Sequence, residues 1–214
     1  LATWGLSSQV VACERNDPTR QRLHPVVEWA RRVLYRRAVA VTVNTELAKG
    51  AFERLLRGRV PVHLVANPLP NWPTFDPAAS REDRILSAGR LAPQKRHDDV
   101  IRAFSLVADE YPSWRLIIVG EGPEKDNLRR LVTSFALEGR VELMGHLDDV
   151  RPTLVASRIL VLASEFEGMP NILLEGLMSG LEAIVSDAVP SLSPPLKPRT
   201  PLRQFPAGDV HALS

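Results

Sequence analysis

From Ile159 to Ala163 the chain is an unbroken apolar run, short enough for a strand buried on both faces. It breaks into the acidic, glycine-containing turn Ser164 to Pro170 before a helical pattern begins. Comparable apolar runs lie at 85–88, 116–119, 141–144 and 183–186, and helical stretches near 97–110, 124–137, 149–156 and 171–180 separate them. This alternation predicts a parallel sheet wound by right-handed crossovers. Gly89, Gly120, Gly122 and Gly145 punctuate the strand ends, so the following loops are expected to open on one edge of the sheet.

The first part of the chain also alternates. Strand-like runs at 9–13, 38–45 and 60–65 enclose helical segments at 25–37 and 46–57, with the polar turn Glu14 to Pro18 after the first run. The segment from Pro68 to Glu82 holds four prolines, and proline removes backbone donors and resists both helix and central strand. The predicted organisation is therefore an α/β domain over 1–68, a linker over 69–82, a second α/β domain over 83–187 and an irregular, proline-rich tail over 188–214.

Composition narrows the partners. With 214 residues and 44% hydrophobic content the chain can bury a sizeable core, and a net charge of only +2 argues against nucleic acid. The single cysteine, Cys13, leaves no intramolecular disulfide and no multi-cysteine metal site, which fits a reducing, cytoplasmic compartment. No apolar run approaches the roughly 18 residues that span a bilayer. The helix at 25–37 carries Arg31, Arg32, Arg36 and Arg37 beside Val26, Trp29 and Val33. It reads either as a packed helix with a solvated basic side or as a contact for an anionic membrane surface.

Candidate chemistry gathers at the strand ends of the second domain. Gly89-Arg90-Leu91 and Gln94-Lys95-Arg96 place a guanidinium and an ammonium beside a helix start, a pair able to neutralise a diphosphate. Surface lysines and arginines are common, so this spacing alone is weak evidence for a phosphate site. Gly120-Glu121-Gly122-Pro123 lets a phosphate or base approach the backbone, or simply forms a tight turn. Glu167 falls in the loop after 159–163 and Glu175 one turn into the next helix. Two carboxylates so spaced can reach different parts of a polyhydroxylated, phosphate-bearing ligand, whose anionic part suits a helix N-terminus. Their other reading is a helix-terminal acid at Glu167 and a solvated helix residue at Glu175. His97 and His146 lie near strand ends without an identifiable partner.

Taken together, Gly89-Arg90-Leu91, Gln94-Lys95-Arg96, Val119 to Pro123, Val141 to Gly145 and Ser164 to Glu175 resemble the retaining GT-B glycosyltransferases of family 4 (glycosyl transferases group 1). The resemblance is close over residues 84–187 and looser from Glu14 to Pro68, so the chain is expected to be incomplete at both ends, with two Rossmann-like domains of which the acceptor-side one (1–68) is partial. It implies that Arg90 and Lys95 bind the donor diphosphate and that Glu175 accepts hydrogen bonds from the ribose. Glu167 would contact the transferring sugar, with Gly89, Gly120, Gly122 and the backbone at Gly168, Met169, Pro170 and Asn171 shaping the rest of the donor site. No Asp-x-Asp sequence suggests a metal-held diphosphate, so no metal and no cofactor are expected. The implied reaction transfers a hexose or N-acetylhexosamine from a nucleotide sugar, a UDP-sugar before GDP-mannose, to a glycan or lipid-linked acceptor with retention of configuration. The alternatives are a catalytically inactive nucleotide-sugar-binding or interaction module and, more distantly, a sugar-nucleotide epimerase.

Overall fold

A computed structural model describes residues 9–16, 19, 21, 23–68, 80–189 and 200–214. Most of the expected linker (69–79) and the proline-rich stretch 190–199 lie outside the described residues. The chain divides into two compact units: residues 9–68 with Phe166–Met169, and the remaining described residues from 80 onward.

In the first unit, β1 (Val11–Glu14), β2 (Ala40–Val43) and β3 (Val62–Leu64) form a parallel sheet in that order. The crossover helices are α1 (Pro25–Tyr35) and α2 (Glu46–Leu56). Helix α2 begins where Thr45 Oγ1 accepts from the Ala48 amide at 3.1 Å, satisfying one of the free N–H groups of the first turn. It ends at Arg57, which adopts the left-handed conformation. Its apolar face places Ala48, Phe52 and Leu56 against Val41, Val43 and Val60.

Helix α1 has the reverse polarity. Its one buried residue is Arg31, whose guanidinium sits 5.4 Å over the Phe52 ring and bonds Glu28 at 2.5 Å. Val26, Trp29 and Val33 are exposed instead.

The second unit is a six-stranded, all-parallel sheet in the order β6-β5-β4-β7-β8-β9. Its strands are β4 (Arg84–Ala88), β5 (Arg115–Val119), β6 (Val141–Gly145), β7 (Ile159–Leu162), β8 (Glu182–Ser186) and β9 (Leu202–Phe205). The intervening helices are α3 (His97–Val107), α4 (Lys125–Ser134), α5 (Arg151–Ala156) and α6 (Asn171–Met178), with the short α7 (Val210–Leu213) last. The near-continuous apolar runs of β5 and β7 are buried on both faces, as a helix-covered parallel sheet requires. Leu86, Leu116, Ile118, Leu128, Leu154, Leu160 and Leu173 are almost wholly shielded, each contributing about 1.5–3 kcal/mol relative to exposure.

Two expectations change. The tail, read as irregular, contains β9 and α7: β9 pairs in parallel with β8, from Ala183 opposite Leu202 to Ser186 opposite Phe205. Phe205 enters the core, and Asp209 caps α7 by accepting from the Ala212 amide at 2.9 Å. Leu-Arg-Gln-Phe has no strand-like alternation of its own; the ladder with β8 and the burial of Phe205 make it a strand. The second change is that α6 stops at Met178, and Gly180 (φ 80°) turns the chain into β8.

Candidate functional site

The chain runs from β4 outward through β5 and β6 on one side and resumes at β7 on the other, so β4 and β7 flank the point where strand order reverses. Ligands of open α/β sheets bind beyond the carboxyl ends of strands at such a point. A cleft of about 510 Å³ lies there, walled by residues following β4, β5 and β6 and by the start of α6.

The loops that wall it are stitched together through main chain. Gly89 N–H donates to Val119 O at 2.9 Å, Gly120 N–H to Gly145 O at 2.8 Å, and Leu91 N–H to Glu121 O at 2.8 Å. This closeness demands missing side chains. A Cβ on Gly120 would stand 1.9 Å from Gly89 O, and one on Gly122 would stand 2.2 Å from Leu91 O. Gly120 lines the cleft, whereas Gly122 is not among its lining residues and serves loop-to-loop packing.

The cations follow. Pro93–Lys95 form a single 3₁₀ turn, and the Lys95 stem passes over Gly89, 3.6 Å from where a Cβ would be. Arg90 is exposed at the cleft wall and Lys95 half-buried within it. The neighbouring Arg96 is committed elsewhere. Its Nε and Nη2 donate to the two oxygens of the buried Asp99 carboxylate at 2.9 Å each, and its Nη1 donates to Glu165 Oε1 at 3.0 Å. Bonding to Asp99 first, and to Glu165 as well, raises its already high pKa further. Arg96 does this from a left-handed conformation (φ 52°), a strain of about 1–2 kcal/mol for a residue with a side chain.

Beneath the cations sits His97, 4% exposed, sharing a 3.0 Å hydrogen bond between Nδ1 and Ser87 Oγ. Its Nε2 makes no well-formed hydrogen bond among the described residues. Burial chiefly, and then the Lys95 charge, lower its pKa to about 4, so the ring is neutral near pH 7; the main chain at Arg90 and Gly89 pulls weakly the other way.

Across the cleft, Pro170, Asn171 and Glu175 come from the first turns of α6, which has no side-chain cap at its N-terminus. Those uncapped N–H groups, together with the dipole, favour an anion. Glu175 is half-buried, and desolvation raises its pKa. The cleft thus sets two cations and a helix N-terminus against a carboxylate seeking hydrogen-bond donors, a match for an anion joined to a hydroxyl-bearing group.

Of the residues singled out from sequence, Gly89, Arg90, Lys95, Gly120, Pro170, Asn171 and Glu175 share this cleft. Glu167, Gly168 and Met169 belong instead to Phe166–Met169, the segment packed with the first unit. Glu167 is 6% exposed. Gly168 lies so close to Arg15 that a Cβ would fall 1.8 Å from its carbonyl oxygen, and Asn67 Nδ2 donates to Met169 O at 2.8 Å. Sequence reasoning missed Arg96 and His97 as working parts. The i,i+3 spacing of Arg96 and Asp99 was the available signal for the first; nothing in the sequence joins Ser87 to His97 across the loop. Among the described residues no cluster of three metal-ligating side chains occurs, and no helix is long and apolar enough to cross a membrane.

Comparison with known proteins identifies the family and the fold. Residues 82–213 match the family "Glycosyl transferases group 1". The chain is 30% identical over 177 residues to the exopolysaccharide phosphotransferase SCO2592 of Streptomyces coelicolor, covering 82% of this chain and 19% of that protein. It is 33% identical over 109 residues to the N-acetylgalactosamine-N,N'-diacetylbacillosaminyl-diphospho-undecaprenol 4-alpha-N-acetylgalactosaminyltransferase of Campylobacter jejuni, covering 51% of this chain and 29% of that one. The chain therefore spans less than a third of either relative. Anabaena HepE, solved in complex with UDP-glucose, superimposes with a TM-score of 0.80 at 17% identity, over 96% of this chain and 60% of that one, and the likeness identifies the fold as GT-B.

Proposed function

The chain belongs to the glycosyl transferases group 1 family, and from that premise we propose that its second unit binds the donor of a retaining glycosyltransferase, holding a nucleotide sugar by its diphosphate and ribose. The observation that carries this reading is the single cleft that joins Arg90 and Lys95 to the uncapped start of α6 and to Glu175. Arg90 and Lys95 bind the diphosphate, and Glu175 accepts hydrogen bonds from the ribose hydroxyls, which replace the water that burial has removed from it. As the sugar leaves, negative charge grows on the diphosphate; fixed cations and helix N–H groups stabilise it more in the transition state than in the ground state. In this reading the two side chains and the helix supply the charge that a metal would otherwise bring. By the family resemblance alone, Glu167 is assigned to the transferring sugar, where a carboxylate would balance the positive charge that develops on the ring.

The donor is a UDP-sugar carrying a hexose or N-acetylhexosamine, a choice supported by the UDP-glucose complex of HepE, with GDP-mannose as competitor. The acceptor is a glycan or a lipid-linked sugar; the Campylobacter relative's name includes a diphospho-undecaprenol acceptor. The protein works on the cytoplasmic side with peripheral membrane contact through α1, whose Val26, Trp29 and Val33 are exposed beside Arg32, Arg36 and Arg37.

The test is Arg90→Ala. It should weaken binding of UDP by about tenfold or more, the loss of one charge-assisted contact, and leave uridine binding unchanged. Equal losses for UDP and uridine would remove the diphosphate role. Membrane contact is tested by sedimentation with vesicles of anionic lipid, from which replacement of the exposed Arg32, Arg36 and Arg37 together should release the chain; unchanged sedimentation would remove the contact.

A further inference from the structure

We propose that Arg96 is a positioning residue: with Asp99 and Glu165 it forms a latch across the β4 and β7 loops that holds Lys95 at the donor cleft and so sets the affinity for the diphosphate without touching it. The inference rests on the donor-site reading above.

Three groups in the sequence offer a positive charge at this strand end, Arg90, Lys95 and Arg96, and the structure separates their duties. Both edges of the Arg96 guanidinium are engaged, one by Asp99 in a two-bond fork and the other by Glu165. Asp98 adds a further carboxylate oxygen 3.8 Å from Nε. With three carboxylates around it, Arg96 has no charge to lend to a phosphate. Lys95, one residue earlier, lines the cleft.

The latch works because it is short on both sides. Arg96 closes the 3₁₀ turn, its N–H donating to Pro93 O at 3.1 Å, and it opens α3, its carbonyl accepting from Asp99 N–H at 3.1 Å. On the facing loop, Glu165 N–H donates to Gln94 O at 2.9 Å. Two links from Glu165, one main-chain to Gln94 and one side-chain to Arg96, therefore tie the turn that carries Lys95 to the loop that leads into α6. The left-handed backbone of Arg96 aims its fork at Asp99 and Glu165 together, an arrangement a lysine's single ammonium does not reproduce. A preorganised cation spares the ligand the cost of ordering it on binding.

The experiment is a calorimetric titration of the chain, Glu165→Gln, Arg96→Lys and the double variant with UDP and with uridine. Glu165 is about half exposed and Arg96→Lys keeps a cation beside Asp99, so both variants retain the fold; a thermal scan of each confirms it. Each single variant should lose about fivefold in UDP affinity with uridine affinity unchanged, and the double variant should lose no more than the weaker single, because both changes break one link. UDP affinity equal to that of the unaltered chain, parallel losses for UDP and uridine, or losses that multiply to about 25-fold in the double variant overturn the latch. If the unaltered chain binds no UDP, the donor-site reading fails first and the latch falls with it.

Discussion

His97 gives the sharpest test of how the cation loop is built. Its ring is sealed between β4 and the 3₁₀ turn with Ser87 as its partner, and burial lowers its pKa from the ordinary 6.5 to about 4. The sign follows directly. Below pH 6.5 the unfolded chain takes up a proton that the folded chain refuses, so stability is lost as pH falls from about 6.5 to about 4, and the loss ends once the folded ring also protonates. The span of roughly 2.5 pH units, at about 1.4 kcal/mol each, makes the loss about 3 kcal/mol. Carboxylates titrate over part of the same range, so the measurement is a difference. Urea unfolding of the chain and of His97→Gln, followed by far-ultraviolet circular dichroism at half-unit steps from pH 7.5 to 4, isolates the ring. Glutamine stays neutral throughout and keeps a polar atom for Ser87. The two stability curves should converge by about 3 kcal/mol as the pH drops. Curves that remain parallel would show that His97 protonates as freely in the fold as in water, and the neutral, buried ring under the loop would be wrong.

Other consequences are simpler to read. Gly122→Ala forces a Cβ to within 2.2 Å of the Leu91 carbonyl oxygen and should destabilise the second unit by about 2 kcal/mol or more, measured by chemical unfolding; an unchanged midpoint would mean the β4 and β5 loops are not packed as described. Phe52→Ala removes a ring wholly buried beneath Arg31 and stacked on Tyr35 at 5.8 Å, with an expected loss of about 3–5 kcal/mol in the first unit. Glu175→Gln replaces a group whose pKa burial has raised. The ionised form is therefore penalised in the fold above its folded pKa, so the variant should raise the thermal midpoint of the unliganded chain at pH 8 while weakening UDP; a lower midpoint contradicts the desolvated carboxylate.

Much of the architecture was legible because parallel strands buried on both faces need continuous apolar runs. All eight strand-like runs named from sequence reappear as strands β1 to β8 with small changes at their ends. Helix starts such as Thr45 before Glu46 and Pro25 at the head of α1 follow from local capping chemistry. What stayed hidden depends on neighbours distant in sequence. Strand β9 takes its conformation from β8, and Gly122 owes its identity to the Leu91 carbonyl. Arg96 and Lys95 look interchangeable in sequence and are divided only by the presence of Asp99 and Glu165 around one of them. Helix α1 read as an ordinary basic amphipathic helix; no periodicity shows that Arg31 is its inward residue, because the aromatic face that accepts it lies on α2. Glu167 in the glycine-containing turn and Glu175 in the helix after it, with seven residues between them, read as one motif, yet the compact units assign them to different groups.

The central claim is that the second unit carries a formed donor site, and thermal unfolding of the chain with UDP, with GDP and without ligand, repeated on Glu175→Ala, tests it most directly. Nucleotide at about 100 times its dissociation constant should stabilise the folded site by roughly 2.7 kcal/mol. That corresponds to a shift of about 5–11 °C for a chain of this size with UDP, smaller with GDP at the same concentration and lost in the variant. A cooperative transition that neither nucleotide moves would contradict the account.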